Sequence, residues 1–275
     1  MQKKKQLVNR EERERERESK LTIIWALFDD SQCSYKKAIK KYFNNYNIEV
    51  YSIGINDVKF KEKSKYFYRK IDLSLNNLNL LKELNKLPKP NIILASPPCE
   101  SWSGADCDGK IVRKIESCKW EVQNEKFYEK YNQKCHPVKR RYFINKERGR
   151  IIGESTIGAT IQIIRHYKPK VWVIENPKTS KIWEFQENHW DFNQYNDADV
   201  YKNSTYYSSY DSKFSLKPTI FKSNIKLNLK KDKNNASNKN HMALGNYSKR
   251  SSIPTELVMN IMEQIFQKIG VVANE

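Results

Sequence analysis

The sequence predicts an α/β fold, a mostly parallel sheet covered by helices on both faces. Three observations carry that expectation. The stretches 22–28, 91–95 and 171–174 are short, nearly unbroken apolar runs, the mark of strands buried on both faces. Segments with apolar residues at helical spacing lie between them. Each run ends in a polar turn rich in Asp, Asn, Glu or Pro.

Taken in order, the first strand is Thr22-Ile-Ile-Trp-Ala-Leu-Phe28, followed by the turn Asp29-Asp-Ser-Gln-Cys33. Ser34 is placed to cap the next helix, whose apolar face is Tyr35, Ala38, Ile39, Tyr42 and Phe43, with Lys36, Lys37, Lys40 and Lys41 opposite. Glu49 to Ile55 reads as a second strand, ending Asn56-Asp57, and Tyr66 to Ile71 as a third, ending at Asp72. Leu75, Leu78, Leu81 and Leu84 mark a helix closed by Pro88 and Pro90. Asn91 to Ala95 is the fourth strand, and it runs into Ser96-Pro-Pro-Cys-Glu-Ser-Trp-Ser103. Residues 104–150 break the rhythm as a mobile, basic insertion. A helix then spans Gly153 to Tyr167, and Val171-Trp-Val-Ile174 is a fifth strand ending Glu175-Asn176-Pro177. Beyond it the pattern loosens, apart from an extended piece at Pro218 to Phe221 and a last helix from near Pro254. The expected organisation is a charged extension over 1–20, a core over 21–185, a small irregular region over 186–241, and a returning segment over 242–275.

Composition narrows the partners. The 275 residues are enough for one large domain or a domain with an appendage. Lys and Arg number 51 against 32 Asp and Glu, a net charge of +19 that suits a polyanion. Asn is abundant too, as an AT-rich genome would produce, which weakens charge alone as a signal. No stretch approaches the roughly 20 apolar residues of a membrane span, and residues 1–7 lack the apolar core of a signal peptide. An odd count of five cysteines then argues for reduced thiols and a cytoplasmic protein. Cys107, Cys118, Cys135 and His136 form no CxxC pair, so no metal site is expected.

Distinctive residues stand at five successive strand ends: Phe28-Asp29, Asp57, Asp72, Pro98-Cys99 and Glu175-Asn176-Pro177. Parallel strands share a carboxyl edge, where open α/β sheets bind their ligands. The two prolines stiffen the turn that presents Cys99.

These motifs resemble those of the DNA cytosine-5 methyltransferases, most closely the short, phage-type members, over roughly residues 22 to 266. Ser96-Pro-Pro-Cys-Glu-Ser-Trp-Ser103 looks like the family's Pro-Cys nucleophile motif, and Val173-Ile-Glu-Asn-Pro177 like its Glu-Asn motif. Tyr210 to Phe221, with Lys217-Pro218-Thr219, resembles the Gln/Arg segment, and Leu244-Gly245-Asn246 the late Gly-Asn motif. The resemblance implies a Rossmann-like, S-adenosylmethionine-dependent methyltransferase sheet, duplex DNA as substrate and a monomer. It implies that the Cys99 thiolate adds to cytosine C6, so that C5 can take the methyl group. A soft, departable nucleophile suits that cycle. Glu175 would hold N3 and the exocyclic amine of a base flipped from the duplex. Asn176 and Pro177 would fix its direction, and Lys217 would meet a phosphate or the base carbonyl. Pro97, Ser101 and Ser103 are the other substrate positions implied. For S-adenosylmethionine the resemblance implies Phe28 and the turn after it, from Asp29, at the methionine end, Asp57 or Asn56 at the ribose, and Asp72 at the adenine amine. Pro98 and Asn246 complete that set.

Two departures stand out. The family's first loop is usually glycine-rich, and this one has no glycine. Ser215 and Lys217 stand where Gln and Arg are expected. These keep open a weak or inactive DNA-binding relative. An amino-methyltransferase is also open, although Cys99 replaces the aromatic residue its turn would carry, and so is a tRNA cytosine-5 methyltransferase.

Overall fold

The structure, a computed structural model, describes residues 21–29, 32–58, 64–102, 124–137, 140–233 and 251–274. Strands β1 (Thr22–Leu27), β2 (Ile48–Gly54), β3 (Tyr66–Lys70), β4 (Ile92–Ala95) and β5 (Val171–Pro177) are mutually parallel. They alternate with helices α1 (Ser34–Tyr42), α2 (Leu80–Leu84), α3 (Glu125–Lys134) and α4 (Phe143–Tyr167). After β5 come α5 (Ile182–Trp190), a small hairpin of β6 (Gln194–Tyr195) and β7 (Ala198–Asp199), then β8 (Tyr201–Tyr206), β9 (Pro218–Ser223) and α6 (Thr255–Ile269).

One seven-stranded sheet runs β3-β2-β1-β4-β5-β9-β8. β9 is antiparallel to both its neighbours, so the sheet is mixed only at that end. This is the mostly parallel α/β sheet expected from the alternation of strands and helices, in the Rossmann-like form that the resemblance implied. Its order turns back between β1 and β4, which opens a crevice at their carboxyl ends.

The unbroken apolar runs have a direct cause. Ile23, Trp25 and Leu27 of β1 enter one core, while Ile24 and Ala26 enter the other. Trp172 and Ile174 of β5 likewise oppose Val171 and Val173. Successive side chains alternate faces, so a strand covered on both sides needs apolar residues throughout. Residues of α2, α4 and α5 fill the first core and those of α1 and α6 the second. Gly270, with φ 72°, ends α6 in the left-handed conformation that lacks a Cβ penalty. Among the described residues, no helix is long and apolar enough to cross a membrane.

Several expectations are corrected. The four-leucine helix shrinks to Leu80–Leu84, and Leu78 is 95% exposed. Helix α4 begins ten residues before Gly153, inside the stretch read as an insertion, where α3 also forms. Its first turns lie beyond the sheet and bury no continuous face, so they give no apolar period to read. The stretch read as an irregular region supplies β8 and β9 to the main sheet. Ser34 does not cap α1; its Oγ accepts from Ile253 N at 3.1 Å. Lys36, read onto the solvent face of α1, is buried.

Candidate active site

The turn leaving β4 is braced from three sides. Asn176 of β5 is fully buried and donates Nδ2 to the Pro97 carbonyl at 3.0 Å. Tyr35 of α1 shares a 2.8 Å hydrogen bond with Ser96 Oγ. Behind the turn, a 3₁₀ segment (Glu100–Trp102) packs on α4, where only glycine fits: a Cβ on Gly153 would lie 2.3 Å from Ser101 Oγ. Trp102 is buried, and its carbonyl accepts from Lys181 N at 2.9 Å. Prolines stiffen this turn from within, and these contacts fix where it points.

Cys99 is a free, half-buried thiol at the tip. Burial pushes its pKa up, the Lys217 cation pulls it down, and the charges of Glu175 and Glu100 push it up. Lys217 thus opposes the thiol's tendency to stay protonated.

Glu175 sits at the neighbouring strand end, because β5 pairs in parallel with β4 through Ala95 and Ile174. It is 6% exposed, and the Tyr207 hydroxyl donates to its Oε1 at 2.9 Å. Lys217 Nζ stands 3.8 Å from the same oxygen, and 4.5 Å from the centre of the Tyr207 ring. Burial first, then the Glu175 charge, push the Tyr207 pKa well above its ordinary value, so it remains a donor. The antiparallel pairing of β9 with β5 brings the segment before Pro218 back to the carboxyl end of β5. Cys99, Glu175 and Lys217 are therefore gathered from three segments.

Tyr207 and Tyr35 are the residues that sequence reasoning missed. Tyr207 lies in a run of Tyr and Ser without periodicity, and Tyr35 reads as ordinary apolar face. Only their hydroxyls, each paired inside the protein, distinguish them.

The positions read as cofactor-binding are spread along the same edge. Phe28, half-buried, has a left-handed φ of 62°, and its N–H donates to Ile53 O at 2.8 Å. Asp29 spends its carboxylate on the fold: Oδ1 accepts from Tyr35 N, and Oδ2 from Lys36 N and Ser52 Oγ. It thereby does for α1 what Ser34 was expected to do. Burial raises its pKa to about 6 despite those bonds. Asp57 is exposed and pairs with Lys70 at 2.7 Å. Asp72 is exposed after β3. Pro98 is half-buried in the turn. Pro177 accepts from Trp183 Nε1 at 3.0 Å through its carbonyl. Ser103 and Asn246 lie outside the described residues.

No protein-family model and no curated protein matches the chain. Among solved structures, a methyltransferase of Entamoeba histolytica is similar to it at 16% identity and a TM-score of 0.43. That match covers 78% of this chain and 58% of the other, so the chain spans less than two thirds of that protein's length.

Proposed function

We propose that the chain is a methyltransferase that moves the methyl group of S-adenosylmethionine to C5 of a cytosine in duplex DNA, acting as a monomer through a covalent bond from Cys99. The observation that carries this reading is the pairing of a braced half-buried cysteine in the turn after β4 with a buried, hydrogen-bonded glutamate on β5. A small buried cysteine needs no such neighbours.

In this reading the Cys99 thiolate would add to C6 of a flipped cytosine, and the electron pair of the C5–C6 double bond would take the methyl group as its bond to the sulfonium sulfur breaks and S-adenosylhomocysteine leaves. A base then takes the C5 proton, and that electron pair expels the thiolate and restores the ring. Tyr207 occupies Glu175 Oε1, which leaves Oε2 for the base amine or N3. Lys217 favours the thiolate and balances negative charge beside it. Asp57 and Asp72 supply acceptors suited to ribose hydroxyls and an adenine amine, at the ends of β2 and β3. S-adenosylmethionine supplies the electrophilic methyl. Asp29 has no oxygen without a bond, so this loop would meet the cofactor through Phe28 and backbone groups.

The test is incubation with labelled S-adenosylmethionine and duplex DNA containing 5-fluorocytosine. A covalent adduct with the native chain, absent in Cys99→Ala, is expected. Normal DNA binding without adduct would favour the second reading, a binding protein on this scaffold, which the committed Asp29 motivates.

A further inference from the structure

We propose that the helical arm formed by α3 and the first turns of α4 is a phosphate-gripping surface for duplex DNA, with Lys126, Lys130 and Lys134 as its contacts. This rests on the proposed action on DNA and adds the surface that holds the duplex. Residues 124–150 carry nine lysines and arginines against three glutamates. The three lysines recur every fourth residue on α3, so they form one stripe with steps of about 6 Å. All three are exposed. Glu125 and Glu129 share their helix, yet among the described residues no ion pair engages any of the three lysines. By contrast, the arm's third acid, Glu147, is paired with Arg150 at 2.8 Å. The stripe is left for an outside anion.

The arm is also fixed rather than tethered. Tyr128 is buried on the other side of α3. Asn132 ties α3 to the entry of α4 by two bonds with Arg141, Nδ2 to the carbonyl at 2.6 Å and N–H to Oδ1 at 2.8 Å. Helix α4 then continues onto the turn of Cys99 through Gly149 and Gly153, which face Ser101 and Trp102. Cations on such a scaffold set the register of a duplex relative to the thiol. Lysines, as point charges without a bidentate fork, suit phosphates rather than base edges.

The experiment measures binding of the full chain to a labelled duplex by anisotropy between 50 and 200 mM KCl. Each lost phosphate contact lowers the slope of log affinity against log salt by about 0.9, so K126Q/K130Q/K134Q lowers it by about 2.7. The triple arginine replacement keeps the native slope. K37Q/K40Q, on the exposed face of α1, leaves it unchanged. An unchanged slope in the glutamine variant, or an equal loss per lysine in the α1 control, overturns the inference and leaves the adduct test standing. A lowered slope without any adduct supports the surface while the methylation reading falls. Tighter binding to duplex RNA of the same length overturns it in favour of an RNA surface, and no binding to duplex DNA overturns both readings.

Discussion

The turn after β1 and the turn after β4 leave the same edge from adjacent, parallel strands, and they spend their polar groups in opposite ways. The first uses its own side chain: Asp29 reaches forward to the first N–H groups of α1 and across to Ser52. It also holds Phe28 and Cys33 at left-handed φ values of 62° and 50°, where glycine would sit without strain. Cys33 ends buried. The second turn is held from outside, by Asn176, Tyr35 and the glycine face of α4. Its cysteine stays half-exposed. A turn stabilised by its own carboxylate anchors the chain, while a turn stabilised by distant elements keeps its tip free for chemistry.

The sharpest way to break this contrast is Gly153→Val. Its Cβ meets Ser101 and Trp102 closer than real Cβ atoms come, so α4 or the turn must shift. A displacement near 1 Å is expected to slow adduct formation about 100-fold, read by single-turnover assay, with DNA binding retained.

Next comes Tyr207→Phe. Losing a hydrogen bond to a charged acceptor costs about 1.5–3 kcal/mol, so the adduct rate should fall about 10- to 100-fold. An unchanged rate would show that Glu175 orients without Tyr207.

Lys217→Met sharpens the electrostatics of the second turn. Lys217 lowers the Cys99 pKa against burial, so its removal leaves less thiolate at any given pH. The rise of adduct rate with pH should move to higher pH, and iodoacetamide labelling of Cys99 should move with it. A shift to lower pH would contradict the assigned role.

The smallest effect belongs to the first turn. Asp29→Ala should cost about 1 kcal/mol in urea unfolding, the worth of a helix cap, while Cys99 keeps its labelling rate. A change in thiol reactivity as large as the change in stability would erase the distinction between the turns.

Much of the core was legible because burial on both faces leaves a local trace. The runs at β1, β4 and β5 could be read without knowing what covers them, and Pro-Pro-Cys and Glu-Asn-Pro stand directly at strand ends. Helix α4 was legible only from Gly153 onward, where its residues enter the core. Its earlier turns are mostly half-exposed or exposed, and residues such as Ile144, Ile151 and Ile152 remain at the surface.

By itself, then, the sequence determined which segments form the parallel strands and which residues stand at their carboxyl ends. Apolar period and turn chemistry depend on a residue and its immediate neighbours. Only the tertiary structure decided that Tyr207 holds Glu175, 32 positions away, that Asn176 braces Pro97 across 79, and that Asp29 is spent on α1. A hydroxyl or carboxylate carries no local mark of its partner, since that choice is made by strand order and register.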